Sequence, residues 1–141
     1  DVHHGNGTQH IVQSNKNITY VSIHQFPFYP GSGSQIEKGK YENILNLPVP
    51  SGYGSNEYRQ IFDKQIFPFV QNFNPELFII SAGFDAHRDD PLAGINLEVE
   101  DYVYMTRRCL EIQSNLLLGL EGGYNLDVLG ECCVAVLNEL I

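Results

Sequence analysis

The sequence predicts an α/β protein built on a mainly parallel sheet, and two observations point to this class. The apolar runs LFIISA at 77–82 and LLLGL at 116–120 have the composition of strands buried on both faces of a parallel sheet. Apolar residues at helical spacing lie before, between and after these runs, so strands alternate with helices. This alternation is typical of an open sheet with flanking helices.

The elements that precede the first apolar run follow from local composition. The β-branched and aromatic residues at 18–24 predict a strand, and NILNLPV at 43–49 predicts a second strand that closes at its prolines. Ser55 is a favourable N-cap, and the apolar spacing after it predicts a helix that extends to about residue 72. Pro68 is expected to kink or end this helix.

Two further helices complete the pattern. Apolar spacing predicts a helix over 97–113, and an amphipathic helix over 125–141 that carries Cys132 and Cys133. The third cysteine, Cys109, also lies in a predicted helix. An odd number of cysteines without C-x-x-C spacing argues against disulfides and against a cysteine-based zinc site. We therefore expect small buried residues in a reducing compartment, which is the cytoplasm or, in a eukaryote, also the nucleus.

Composition limits the classes of function. The chain has 141 residues, which corresponds to one domain or part of one, and its 17 acidic and 8 basic side chains give a net charge of −9. No basic stripe is present, so direct nucleic-acid binding is not expected. A negative field attracts amines or lysine-bearing peptides, although it also serves solubility alone. No apolar run reaches the roughly 18 residues of a membrane span, so no membrane partner is expected.

Polar segments follow the predicted strands where they end. Residues 83–91 follow LFIISA, and EGGYN at 121–125 follows LLLGL. The opening segment DVHHGNG would lie in the same place if a strand ended just before it. Ligand sites in parallel sheets form outside the carboxyl ends of the strands. The candidate residues that such a site would bring together are Asp1, His3, Asp85 and Tyr124.

These side chains suit a catalytic metal site. Asp1 and His3 are two residues apart, so in an extended loop they point the same way. With Asp85 they offer two carboxylates and one imidazole, which leaves coordination positions open. Two carboxylates make a divalent ion less electrophilic, so a donor such as Tyr124 would help to polarise a carbonyl. Taken singly, each motif also fits a simple turn or cap.

Four segments in this order carry a family resemblance: DVHHGNGT, HQFPFYPGSG, SAGFDAHRDDPLAG and LEGGYNL. Together they resemble the zinc-dependent histone deacetylases, and most closely the class II-like and bacterial members that include acetylpolyamine amidohydrolases. The resemblance implies an arginase-like open α/β fold. It also implies a hydrolase that removes acetyl groups from acetyl-lysine of histones or other proteins, or from acetylpolyamines. The implied metal is Zn²⁺, and the ligand set also tolerates Fe²⁺ or Co²⁺.

The resemblance assigns roles to individual residues. Asp1, His3 and Asp85 match the three zinc ligands, and Tyr124 matches the tyrosine that hydrogen-bonds the substrate carbonyl and its oxyanion. The remaining matches are Tyr29, an aromatic wall of the acyl-lysine tunnel; Gly122 and Gly123, the pocket loop; Asn6, which would orient a catalytic histidine; and Ser22 with the carbonyls of Asp1, His3 and Ile23, a structural K⁺ or Na⁺ site.

One departure from the family pattern concerns proton transfer. The family's general acid/base is a pair of adjacent histidines upstream of the Asp-x-His motif, and the only adjacent pair here is His3-His4. His3 matches a ligand, and His4 matches a position that is not the catalytic base. The resemblance therefore implies that residues 1–141 are the carboxyl-terminal portion of a single deacetylase domain and are inactive alone. Its exposed sheet surface would be covered by the amino-terminal half or by oligomerisation.

Two other functions fit parts of the pattern. The arginase-type ureohydrolases share the implied fold and bind two manganese ions, but they need aspartates where this chain has Gly5 and His87. A single metal site is therefore expected. The second alternative is a catalytically silent module that keeps zinc and recognises acetylated tails.

Overall fold

The structure, a computed structural model, describes all 141 residues, Asp1 to Ile141. The chain forms two compact units, one of residues 1–2 and 52–141 and one of residues 3–51. Each unit contains a two-stranded parallel sheet. The predicted α/β class with parallel strands is therefore confirmed, although the strands form two separate pairs.

The smaller unit contains helix α1 (Asn6–Val12) and strands β1 (Tyr20–Gln25) and β2 (Ile44–Val49). The two strands pair in parallel over their whole length. Both strands were expected, and their bounds shift by at most two residues. Pro48 lies inside β2, opposite His24, and does not close the strand. A proline is tolerated there because β2 has only one partner strand, so one of its edges carries no ladder.

Helix α1 was not predicted, because the sequence Gly5-Asn6-Gly7 is typical of a turn. The segment that follows the helix is held from a distance by Asn43, whose side-chain nitrogen lies 3.1 Å from the carbonyl of Val12. The same nitrogen lies 3.2 Å from the carbonyl of Asn15 and 2.8 Å from that of Ile18. This support comes from 25 or more residues along the chain, so local sequence does not reveal it.

The larger unit carries the remaining elements. They are α2 (Ser55–Ile61), a π-helical turn (Phe62–Ile66), α3 (Phe67–Phe73), β3 (Phe78–Ala82), α4 (Val99–Ile112), β4 (Leu116–Leu120) and α5 (Leu126–Asn138). Strands β3 and β4 pair in parallel over their whole length. No helix of the chain has the length and apolar character needed to cross a bilayer.

The predicted helix from Ser55 to about residue 72 exists but differs in detail. Its N-cap is Gly54, while Ser55 is the first helical residue and donates to an Asp101 carboxylate oxygen at 2.6 Å. Pro68 does not end the helix, because it lies in the first turn of α3, directly after a π-helical turn. A proline is acceptable there because the first N–H groups of a helix have no intrahelical partner.

Strands β3 and β4 are not buried on both faces within this chain, as expected if residues 1–141 alone leave sheet surface exposed. Burial alternates along β3, and Ile79 is 65% exposed. Its partner across the pair, Leu117, is 56% exposed. The apolar runs predicted the strands correctly, but a run of apolar residues does not say which other segment covers each face.

Helices α2, α3, α4 and α5, together with the π-helical turn, supply most of the apolar core of the larger unit. Its buried apolar side chains include Tyr58, Phe62, Ile66, Val70, Tyr102, Cys109, Cys132 and Val136. All three cysteines are free thiols, which agrees with the expected absence of disulfides. Burial raises the pKa of Cys109 and of Cys132 to about 12.

Candidate metal centre

Asp1, His3 and Asp85 each offer one ligand atom, and these atoms all lie within 4.8 Å of one another. Asp85 is fully buried and follows β3 by three residues, in the loop where the sequence placed it. The backbone N–H of Val2 donates to its Oδ1 at 2.6 Å. The site therefore combines the beginning of the chain with the loop after β3.

The loop after β4 approaches the same two carboxylates through a glycine. The N–H of Gly122 donates to Asp1 Oδ2 at 3.0 Å. A Cβ atom at Gly122 would lie less than 3.0 Å from both Asp1 Oδ2 and Asp85 Oδ2, a separation that real Cβ atoms essentially never show. Only a residue without a side chain fits there. The close approach also shows that the two carboxylates converge on one point.

These residues fit a divalent transition metal. Two carboxylates and one imidazole are a ligand set that Zn²⁺, Fe²⁺ and Co²⁺ accept. Two carboxylates held close together in a partly or fully buried site repel each other, and a divalent cation would offset this repulsion. The N–H groups of Val2 and Gly122 each stabilise one carboxylate and orient it.

His87 is the residue at which the expected single metal site differs from a two-metal site. His87 stands where a two-metal ureohydrolase needs a carboxylate, and it is buried. The N–H of Asp89 donates to its Nδ1 at 3.1 Å. His87 is thus engaged by its own loop, and the single metal site stays a prediction.

Tyr124 lies in the loop between β4 and α5, with its side chain half exposed. The loop is bonded to the segment that carries Asp85. The N–H of Phe84 donates to the carbonyl of Gly122 at 2.7 Å, and the N–H of Tyr124 donates to Asp90 Oδ2 at 2.9 Å. The Asn125 side chain donates to the carbonyl of Asp89 at 3.1 Å. The loops that follow β3 and β4 therefore form one bonded assembly.

Helix α4 contacts the loop that follows β3 through Tyr102. The Tyr102 hydroxyl donates to the carbonyl of Phe84 at 3.2 Å, and the two rings meet edge to face at 5.0 Å. Helix α5 starts from the assembly itself, because the Asn125 side chain accepts from the N–H of Val128 as its N-cap. Asp90 and Tyr102 were not predicted as site residues. The signal for Asp90 was limited to the Asp-Asp-Pro turn, and Tyr102 gave none beyond helical spacing.

In the smaller unit, His3 lies beside two aromatic side chains. Its ring stacks on Phe28 with a centroid distance of 5.1 Å, and Tyr29 meets it at 6.2 Å in an edge arrangement. Tyr29 is 78% exposed, so its ring is available to a ligand. Phe28 was missed by the sequence argument, although its aromatic character in HQFPFYPGSG was visible.

The remaining candidates of the smaller unit are placed as follows. Asn6 is the exposed first residue of α1, and its N–H donates to the carbonyl of His4 at 3.0 Å. Ser22 and Ile23 are adjacent in β1, and the Ser22 hydroxyl lies 2.9 Å from Nδ1 of His24. Burial, and then the neighbouring His4, lower the pKa of His24 to about 4.

His4 is buried in a polar cluster. Its Nδ1 lies 2.8 Å from the Ser32 hydroxyl, and its Nε2 lies 2.8 Å from Gln9 Oε1. Gln9 Oε1 also accepts from Asn46 Nδ2 at 2.8 Å, so it acts as the acceptor and His4 Nε2 as the donor. Both ring nitrogens of His4 are therefore used within the protein.

The fold and the arrangement of the loops are those of the arginase/deacetylase class, and the chain belongs to the histone deacetylase domain family, whose model matches residues 1–140. It is 45% identical over its whole length to an uncharacterized protein of Synechocystis sp.. It is 42% identical over 92% of its length to histone deacetylase 10, chloroplastic, of Oryza sativa. The crystal structure of the HDA15 HD domain superposes with a TM-score of 0.95 at 38% identity over 99% of the chain.

The chain spans less than half the length of these relatives. It covers 46% of the Synechocystis protein, 31% of the Oryza sativa deacetylase and 42% of the HDA15 HD domain chain. The expected family and fold are confirmed by these likenesses. Activity, substrate and the roles of individual residues are argued separately below.

Proposed function

We propose that the protein is a metal-dependent deacetylase that hydrolyses acetylated amines, either acetyl-lysine in histones or other proteins or acetylpolyamines. The observation that carries this proposal is the group of ligand atoms from Asp1, His3 and Asp85, all within 4.8 Å of one another, in a chain of the deacetylase family. We assign residues 1–141 to the carboxyl-terminal portion of a single deacetylase domain.

Asp1, His3 and Asp85 would hold the ion, with zinc first and Fe²⁺ or Co²⁺ as alternatives. When bound, a divalent ion supplies Lewis-acid chemistry that polarises an amide carbonyl and favours the ionisation of water. The protein's own contribution is orientation. The N–H groups of Val2 and Gly122 fix the two carboxylates, and Gly122 keeps the approach to them free of a side chain.

Tyr124 is the proposed electrophile. A phenol can donate a hydrogen bond to the carbonyl oxygen of the substrate, and the bond strengthens as negative charge develops on that oxygen. The loop with Gly122 and Gly123 allows close approach of a substrate because neither residue has a side chain. The half-exposed Tyr124 is open to a ligand while its backbone is bonded to Asp90.

Tyr29 is the proposed wall for the acyl chain. The methylene groups of an acetylated lysine or polyamine can pack on the exposed aromatic ring, and Phe28 adds a second ring beside His3. The net charge of −9 favours cationic substrates such as polyamines and lysine-rich peptides.

The general acid/base is not assigned to a residue of this chain. His4 is excluded as the base because both its nitrogens are engaged by Ser32 and Gln9. We therefore propose that residues 1–141 alone do not turn over substrate. From the family resemblance, Asn6 would orient a catalytic histidine, and Ser22 with the carbonyl of Ile23 would contribute to a structural K⁺ or Na⁺ site.

The test uses the full-length protein. Metal content and hydrolysis of an acetyl-lysine peptide and of an acetylpolyamine are measured for the wild type, for Asp85→Ala and for Asp127→Ala as a control. Asp127 is an exposed carboxylate in the first turn of α5. We expect Asp85→Ala to lose both metal and activity and Asp127→Ala to keep both. Stoichiometric metal in Asp85→Ala would overturn the ligand assignment, and a metal-loaded wild type inactive on both substrates would overturn the activity.

A further inference from the structure

Both carboxylate oxygens of Asp90 accept hydrogen bonds from backbone N–H groups. The residue is 7% exposed. Its Oδ1 accepts from the N–H of Leu92 at 2.9 Å, and its Oδ2 accepts from the N–H of Tyr124 at 2.9 Å. The first bond is a local turn contact, two residues along the chain. The second spans 34 residues and joins the loop after β3 to the loop after β4.

The local turn does not require a buried charge. A neutral asparagine or serine can accept the N–H of the residue two positions on, so the bond to Leu92 alone does not explain a carboxylate here. Burial of an ionised carboxylate is costly unless hydrogen bonds compensate it. The charge is useful for the second bond, because charge-assisted hydrogen bonds to a carboxylate are shorter and stronger than neutral ones.

The backbone around Tyr124 needs such an anchor. Gly123 has φ +140°, and neither Gly122 nor Gly123 has a side chain that would restrict the backbone before Tyr124. The flanking residues are bonded elsewhere, Gly122 to Asp1 and Phe84, and Asn125 to Asp89. The bond to Asp90 is the one that acts on the peptide group of Tyr124 itself.

We infer that Asp90 is a positioning residue for Tyr124. Its carboxylate fixes the backbone of Tyr124 and thereby restricts the position from which the phenol side chain extends. Asp90 does not touch substrate or reacting atoms, and this inference rests on the proposed deacetylase function. The Asp-Asp-Pro turn would then orient the proposed electrophile, Tyr124, in addition to reversing the chain.

The test compares five variants of the full-length protein on an acetyl-lysine peptide. They are Asp90→Asn, Asp90→Ala, Tyr124→Phe, the double variant with Asp90→Asn and Tyr124→Phe, and the control Asp89→Asn. The control removes the same charge one residue earlier, from a side chain that is 61% exposed, and it leaves the backbone bond to Asn125 in place. Asparagine at 90 can offer an oxygen to only one of the two N–H groups, so it keeps the shape of the side chain and loses one bond.

We expect both Asp90 variants to bind full metal and to lower kcat by about 10–100-fold with KM unchanged within about twofold, since a misplacement of about 1 Å can cost 10²-fold. Asp89→Asn should stay within about twofold of the wild type. In the Tyr124→Phe background, Asp90→Asn should have no further effect on kcat, because the hydroxyl that it positions is already absent. A merely structural role for Asp90 would instead lower activity equally in both backgrounds.

A readout independent of activity is hydrogen exchange at the Tyr124 amide. We expect exchange at least tenfold faster in Asp90→Asn than in Asp89→Asn. If the Asp90 variants keep the kcat of the wild type while Tyr124→Phe is impaired, the positioning role is wrong and the proposed function stands. If Tyr124→Phe is fully active, the role of Tyr124 in the proposed function fails. Unchanged exchange of the Tyr124 amide in Asp90→Asn would overturn the inference whatever the activity.

Discussion

Gly122 and Asp1 are joined by a hydrogen bond of 3.0 Å from the N–H of Gly122 to Asp1 Oδ2, across 121 residues of sequence. The same glycine faces Asp85 so closely that no side chain fits between them. Gly122 thus orients the carboxylate of Asp1 and, because it has no side chain, leaves space for the carboxylate of Asp85.

This relationship predicts that Gly122→Ala disrupts metal binding. The added Cβ would collide with Asp1 Oδ2 and Asp85 Oδ2, so at least one carboxylate must leave its position. We expect metal affinity of the full-length protein to fall at least about tenfold, the lower end of the cost of disturbing groups that orient ligands. Gly119→Ala is the matched control, since its Cβ would have no neighbour within 4 Å. Metal titration of both variants decides the matter, and equal affinities would contradict the arrangement of the two carboxylates.

A second glycine pair tests the polar cluster of the smaller unit. Gly33 has φ +88°, and a Cβ there would lie 2.5 Å from His24 Nε2 and 2.7 Å from His4 Cδ2. Gly31 has φ +80° and open space around its Cβ position. Both alanine variants carry the backbone penalty of the left-handed region, but only Gly33→Ala also adds a collision.

We expect Gly33→Ala to destabilise the protein by about 1–3 kcal/mol more than Gly31→Ala, which is the usual cost of overpacking. Urea unfolding of the two variants, followed by circular dichroism, measures the difference. Equal midpoints and equal slopes would mean that His4 and His24 can move away at little cost.

The third prediction concerns the buried carboxylate of Asp101, which is 1% exposed and joins α2 to α4. Its oxygens accept from the Ser55 hydroxyl at 2.6 Å and from the Arg59 Nε at 2.8 Å. Loss of one member of a buried ion pair costs about 3–5 kcal/mol, but Arg59 is 41% exposed and solvent will stabilise it in part. We therefore expect Asp101→Asn to lower the free energy of unfolding by about 2 kcal/mol.

The exposed pair of Arg107 and Glu139 provides the comparison for Asp101. The Arg107 side chain is 63% exposed, so Glu139→Gln should lower the free energy of unfolding by less than Asp101→Asn does. Chemical denaturation of both variants tests the ranking. A larger loss in Glu139→Gln than in Asp101→Asn would contradict the role of burial.

The sequence predicted the elements whose signals are local. Strands β3 and β4 and helix α4 lie within two residues of their predicted bounds, and α5 begins one residue later and ends three residues earlier than predicted. Helix α1 was missed because its stabilising contact, Asn43, lies more than 25 residues further along the chain. The apolar runs of β3 and β4 do not identify what covers these strands, because burial depends on which other segments pack on a strand.

The site shows the same division. Asp1, His3 and Asp85 were named because their types and positions after strands are visible in the sequence. Asp90 was not, because its bond to the Tyr124 N–H depends on a loop pairing that only the fold creates. His4 was not expected to be the catalytic base, and the structure shows its ring nitrogens bonded to Ser32 and Gln9.

The last prediction concerns the three thiols. Burial raises the pKa of Cys109 and of Cys132 from 9.0 to about 12, and the thiolate is the reactive form. Cys133 is only half buried. At pH 8 we expect a thiol reagent to label one cysteine quickly in the native protein and all three in urea.

The same pKa shifts predict a loss of stability in alkali. Between about pH 9 and pH 12 the unfolded chain releases thiol protons that the folded chain keeps, so the free energy of unfolding falls as pH rises, by up to about 1.4 kcal/mol per pH unit for each buried thiol. Cys132→Ala should remove one of the two thiol contributions and make the decline less steep. Urea unfolding at pH 8, 9 and 10 measures the slope, with Cys133→Ala as the control, and rapid native labelling of all three thiols would contradict the burial on which the prediction depends.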